Sequence, residues 1–435
     1  MKLCPNRKYV LCLATLILTS LFVFLAWEEI KPRAVTGGEA GSLRHFWQEQ
    51  VERLPIFRNL RTRSKRTPDV RQEARVMKER MLAEFPALRV EKHPVPDDQN
   101  GFLMLFQLDD FIKNLNPPLS EEFRQLLNGT TPWDADAARR FLAEQRDLVE
   151  WIEKIAALET RSVENLPASY DGFIGARSGK IASDILLLKA RLAAEAGDEQ
   201  GTLRAISAVT NLAAHYQKIE SPSFWSATIN IVIDMKIKKT ALKTILPALG
   251  KDADLSFWKS TFATTSYTAS DLARIMRGEW NTSSDYLAFP LFIADERKRN
   301  LSDAEAVART YSSWFNAWVT TLPTLSLSQI ESFSPHVKTS HLSSGGRTYI
   351  EVLQMSRESW LKGHIRAAVI SSQQQAALDL LMLERDGVTL GAADAARITH
   401  DPMTGLPFVF DPAKRELLAP PDSARLDVVP LVLPW

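Results

Sequence analysis

The chain has 435 residues, with 53 Lys and Arg against 52 Asp and Glu and two cysteines. That length suffices for one large core or two, and the balanced charge excludes a global field that would gather nucleic acid. Both cysteines, Cys4 and Cys12, stand near the start. The rest of the chain therefore has no disulfide and no thiolate metal site, which excludes zinc-ribbon, cysteine-protease and redox-dithiol chemistry there.

The first predicted element is an uncharged run from Tyr9 to Trp27, preceded by Lys2, Arg7 and Lys8 and followed by Glu28, Glu29 and Lys31. A helix crossing the roughly 30 Å hydrocarbon layer needs about 20 apolar residues, so the run predicts a transmembrane helix. A cleaved signal peptide has a shorter apolar region and small residues before its cut. Here a cut after Ala26 meets Phe24, and one after Ala34 meets Pro32, so the segment reads as an uncleaved signal anchor. Basic residues before the run keep the N-terminus cytoplasmic and send everything from Glu28 onward across the membrane.

Helical periodicity dominates the chain beyond the anchor. Candidate helices run from Ser42 to Arg61, Asp69 to Glu84, Gly101 to Leu115 and Ala135 to Leu158. From Ile181 to Glu195, the residues Ile181, Ile185, Leu188 and Leu192 share a face; Gly197 then serves as a C-cap and Asp198 as an N-cap. Leu203, Ile206, Val209, Ala213 and Tyr216 keep the same spacing, which predicts an antiparallel αα-hairpin. After Ser221 and Pro222, an apolar residue recurs every fourth position from Ile229 to Ile245, ended by Pro247 and Gly250. Ser302 and Glu305 form a capping-box pattern ahead of Val307, Tyr311, Trp314, Trp318 and Leu322. A further helix is expected from Ile365 to Leu383. Strand-like alternation is scarce before Thr389. Close to the end, Asp401 to Pro407 reads as a turn, with Gly405 in the left-handed position, feeding a strand at Phe408-Val409-Phe410. A Pro-rich tail then runs extended to Trp435.

The expected fold is all-α: an irregular helical bundle or short α-solenoid of αα-hairpins, with an N-terminal transmembrane helix and a small C-terminal turn or β-hairpin element. A repeat array needs three related units, and one hairpin of this kind is found. The expected divisions are a cytoplasmic N-terminus at 1–8, the anchor at 9–27, a membrane-proximal basic helical region at 28–95, a main helical domain at 96–387 and the C-terminal element at 388–435.

Three features together resemble an uncharacterised family of membrane-anchored helical proteins from planctomycete and verrucomicrobial bacteria. They are the anchor, the pattern LLKARLAAEAGD from Leu187 to Asp198, and the DPMTGLP element from Asp401 to Pro407 behind an Ala-rich helix. The resemblance implies bacterial export and an all-α body, and it implies no reaction. The same turn resembles the C-terminal region of type II secretion pseudopilins, but their processed glycine and glutamate have no counterpart before the apolar run.

Among candidate sites, the stretch from Asn165 to Lys180 is the most site-like, because Gly172, Gly175 and Gly179 alternate with polar residues and it opens onto a helix. Unpaired N–H groups at such a start can hold an anion, with Arg177, Ser178 and Lys180 as the candidate ligand residues. The phosphate-loop pattern fails, since three residues separate Gly175 from Gly179 and Ile181 stands where Ser or Thr is required. An ordinary connecting loop is the competing reading. Ser256 with Lys259 and Ser359 with Lys362 match a serine–lysine nucleophile spacing without the accompanying KTG. His336, His341, His364 and His400 have no metal-ligand spacing, so neither metal nor cofactor is expected. Carboxylate pairs such as Asp97-Asp98 and Asp109-Asp110 serve acid–base work only across a cleft. Trp314, Phe315 and Trp318 read as core. The basic run from Arg58 to Arg66, extended by Arg71, Arg75, Lys78 and Arg80, either contacts anionic headgroups or is a solvated face.

The sequence thus favours a non-enzymatic, single-pass inner-membrane protein whose bulk lies on the periplasmic side and binds an envelope protein or cell-wall material. The alternative is an envelope hydrolase or lyase using separated carboxylates.

Overall fold

The computed structural model describes residues 68–434 except 116–121, 123–124, 127–130, 164–175, 264–267, 287 and 299–300. The anchor at 9–27 and the candidate helix from Ser42 to Arg61 lie outside the described residues. Among those described, no helix is long and apolar enough to cross a membrane. The described chain is predominantly helical. Its longer helices are, in order, α1 (Pro68–Glu84), α2 (Gly101–Lys113), α3 (Ala135–Glu144), α4 (Arg146–Ala156), α5 (Ala176–Glu195) and α6 (Glu199–Gln217). Beyond them stand α7 (Phe224–Thr240), α8 (Leu255–Ala263), α9 (Ala269–Tyr286), α10 (Ala288–Arg297), α11 (Ala304–Thr321) and α12 (Ser344–Arg385). Three short strands, β1 (Val409–Asp411), β2 (Glu416–Leu418) and β3 (Leu431–Val432), complete the described chain.

The caps explain most of these boundaries. The turn between α5 and α6 is closed by Asp198 N–H donating to Ala193 O at 2.9 Å, while Asp198 Oδ1 caps the next helix by accepting from Gly201 N–H at 2.8 Å. The expected helix from Ala135 to Leu158 is two helices, because Gln145 turns to φ −105°, ψ 31°. Apolar spacing continues across this break through Phe141, Leu148 and Ile152, so periodicity carries no sign of it. At α11 the cap is Asp303, whose side chain accepts from Ala306 N–H at 3.0 Å, and Ser302 is not the capping residue. Glu305, the other half of the predicted box, instead pairs with Arg80 and Arg309.

The chain divides into two compact units that interleave in sequence. Of the described residues, the first comprises 68–90 with those of Leu272–Leu325 and Gln329–His364; the second comprises those of Glu91–Asp271, Ser326–Ser328 and 365–434. The stretch 96–387, expected as one domain, is therefore shared between them, and α12 contributes its first half to one unit and its second half to the other.

The first unit is built on an aromatic core. Trp280 of α9, Phe289 and Phe292 of α10, and Tyr311, Trp314, Phe315 and Trp318 of α11 are all buried. Their rings meet edge to face, as at Tyr311–Phe315 with centroids 4.9 Å apart, the arrangement that aligns ring edges with ring faces. Two basic residues of α1 pair across to acids: Lys78 with Asp285 at 2.7 Å and Arg80 with Glu305 at 2.8 Å, while Arg75 is exposed.

The second unit centres on α7, which is buried on nearly every side; Ile229, Ile233 and Ile237 are joined inside by Asn230, Asp234 and Lys238. Helices α5 and α6 pack along each other and against it, with Ile185, Leu186, Ile206, Val209 and Leu212 between them. The predicted C-terminal hairpin is a three-stranded antiparallel sheet, since the tail expected to run extended supplies β3, which pairs Leu431 with Leu417. Alternation points Phe410, Leu417 and Leu431 inward and Val409 and Val432 outward. Gln373 of α12 donates to Leu417 O at 2.7 Å and Val429 O at 3.1 Å, fixing the sheet to that helix.

Candidate functional site

Of the residues singled out from sequence, Ser178, Ser256, Trp314, Phe315 and Trp318 serve packing or capping, whereas Lys259 lines a cleft. Arg177, Ser178 and Lys180 belong to the opening turns of α5, not to the loop before it. Ser178 is fully buried and donates to Leu105 O at 3.2 Å, and a Cβ at Gly179 would fall 2.1 Å from the Tyr216 hydroxyl. Lys180 is half-buried. Elsewhere, Ser256 Oγ donates to Asp254 Oδ1 at 2.7 Å as part of the start of α8, and Trp314, Phe315 and Trp318 are core. Among the described residues no three His, Cys, Asp or Glu side chains lie together as metal ligands would.

A cleft of about 540 Å³ does lie in the second unit, between α8, the second half of α12 and the turn Ala392–Arg397 with its sequel Ile398-Thr399. Its apolar surface comes from Phe262, Ala263, Met382, Leu383 and Ile398. Its polar surface comes from Lys259, Ser371, Ser372, Gln375, Asp379, Asp386, Arg397 and Thr399. These polar groups fall into two sets according to whether the protein already satisfies them.

The satisfied set holds the walls. Asp379 Oδ2 accepts from Thr399 N–H at 3.0 Å and from the Thr399 hydroxyl at 2.7 Å, while its Oδ1 accepts from Gln375 Nε2 at 3.1 Å. Behind Ser371 stands Lys238, a fully buried lysine of α7 whose Nζ donates to Ser371 Oγ at 2.6 Å and pairs with Asp234 at 3.0 Å. A buried ammonium is tolerated only with such partners. Arg397 is matched by Asp394 at 2.9 Å. The Asp394 carboxyl is held below the usual range first by the Gly391 N–H and then by this guanidinium.

The unsatisfied set is one buried atom, Gln375 Oε1, and two exposed charges. A carboxylate only accepts, so the Gln375 amide must present nitrogen to Asp379 and leave Oε1 without a donor among the described residues. An acceptor buried in this way costs about 1–3 kcal/mol until something donates to it. Lys259 and Asp386 are exposed at the cleft and have no ion-pair partner among the described residues. A second cavity, about 360 Å³, is lined by Glu384 and Arg415, but these make a two-point ion pair at 2.9 Å and neutralise each other.

The cleft is not legible in the sequence because its residues come from three separated segments. One signal is present: Ser371 to Gln375 is five polar residues in succession between the apolar stretches 367–370 and 376–378, and Ser371, Gln373 and Gln374 are buried. No family model, no curated protein and no solved structure matches the chain.

Proposed function

We propose that the chain is a membrane-tethered binding protein of the bacterial cell envelope. Residues 9–27 form its single transmembrane helix, the bulk lies on the periplasmic side, and the cleft of the second unit is its ligand site. The observation that carries the binding reading is the division of the cleft's polar groups. General acid–base work needs a carboxyl group free to reach its substrate. Asp379 instead receives three hydrogen bonds from the protein, while the exposed Lys259 and Asp386 and the buried, unmatched Gln375 Oε1 are suited to holding a ligand. A hydrolase or lyase working by two separated carboxylates would draw on Asp379 and Asp386, the acids lining this cleft, and the first is already committed.

The test uses the full-length protein in detergent, incubated with purified cell-wall fragments. Co-sedimentation without release of soluble fragments is the expected outcome. Time-dependent release of fragments, lost on Asp386→Asn, would instead establish the enzymatic reading.

A further inference from the structure

We infer that the cleft of the second unit takes a short peptide with both termini free. This rests on the binding reading and adds the chemistry of the ligand. Among the described residues the cleft offers one uncommitted cation, Lys259 of α8, and one uncommitted anion, Asp386 just beyond the end of α12, whereas Arg397 and Asp379 are matched by the protein itself. A ligand of one charge would meet one of these groups and leave the other unanswered. A ligand carrying a carboxylate and an ammonium answers both.

The ammonium is assigned to Asp386, because the last carbonyls of a helix carry partial negative charge and reinforce a carboxylate standing there. The carboxylate goes to Lys259. Gln375 Oε1 requires an N–H donor and the Ser372 hydroxyl either donates or accepts, which are the two demands a peptide group meets. Phe262, Met382, Leu383 and Ile398 supply apolar surface for small side chains, and the volume of about 540 Å³ lies within the range of roughly 300–1,000 Å³ usual for small-molecule sites.

Isothermal titration of the full-length protein in detergent with tri-alanine, N-acetyl-tri-alanine and tri-alanine amide tests this. Tri-alanine should bind, and blocking either terminus should weaken binding by about tenfold, the value of one charge-assisted contact. Lys259→Ala should weaken tri-alanine by a similar factor and leave the amide unchanged. Asp386→Asn should weaken tri-alanine and leave the acetylated form unchanged. Both positions are exposed, so an unchanged melting temperature is expected and verifies folding. Equal affinity for all three peptides, or no binding of tri-alanine, overturns the inference while leaving the binding reading to the cell-wall experiment. Release of free alanine would overturn the non-enzymatic reading and uphold the ligand class.

Discussion

His215 lies inside the second unit with Nε2 2.8 Å from Ile155 O and its ring against Gly101, where a Cβ would fall 2.2 Å from Cε1. Burial disfavours the imidazolium and outweighs the hydrogen bond to Ile155, pushing the pKa down to about 4. An unfolded histidine takes up its proton near pH 6.5. Between these values the unfolded state binds more protons, so stability is complete above about pH 6.5 and falls as pH drops through about 4, by about 3 kcal/mol. His215→Gln keeps a donor for Ile155 and removes the titration. In urea denaturation, the stability difference between wild type and this variant should shift by that amount from about pH 7 to about pH 4; a constant difference would refute the assignment. In the first unit, Arg357 is buried, donates to the Tyr311 hydroxyl at 2.6 Å, sits 3.5 Å from Glu279 and faces the Phe315 ring at 4.9 Å. Burial pushes the Tyr311 phenol up to about 12. Arg357→Ala should destabilise the protein by about 3–5 kcal/mol because a largely buried acid loses its cation, whereas Arg357→Met with Glu279→Gln should cost clearly less. Equal losses in thermal denaturation would show that the arginine acts through packing alone.

At the scale of elements, the turn from Asp401 to Pro407 is the most informative. Asp401 is fully buried; its side chain accepts from Met403 N–H at 3.1 Å, the Thr404 hydroxyl at 2.7 Å and the Ser423 hydroxyl at 2.6 Å. Gly405 has φ 71°, as its place in the sequence predicts, and nothing lies within 4 Å of where its Cβ would be. The cost of substitution there is therefore conformational and not steric. Gly405→Val should destabilise by on the order of 1–2 kcal/mol, and Gly405→Asn by markedly less, because Asn tolerates the left-handed region. Limited proteolysis near Asp401 and thermal melting measure both; equal stability of the two variants would contradict the conformational cost. Helix existence is legible from apolar spacing at α1, α2, α5, α6, α7 and α11. Helices α8, α9 and α10 carry the same helical spacing, as in Leu255, Trp258 and Phe262 or Leu272, Met276 and Trp280, and add to the helices expected from the sequence.

For the whole molecule, the charge pattern before Tyr9 predicts its orientation. A reporter fused after Trp435 should be active only outside the cytoplasmic membrane, and carbonate should not strip the protein from membranes. A shortened product in the soluble envelope fraction would show that the segment is cleaved. The interleaving of two units is not legible, since a unit boundary inside α12 leaves no turn or proline to mark it.

What the sequence by itself determined is local. Spacing of apolar residues sets helix faces, glycine and aspartate set caps, and the left-handed turn at Gly405 comes from residue types within a few positions of one another. The cleft was decided by tertiary structure alone. Lys259, Gln375 and Asp386 acquire meaning only once the partners of Asp379, Ser371 and Arg397 are known. Asp394 is a local partner, three residues from Arg397, but Thr399 and Lys238 stand on other segments, and whether Asp379 and Ser371 are satisfied depends on distances that no spacing along the chain encodes.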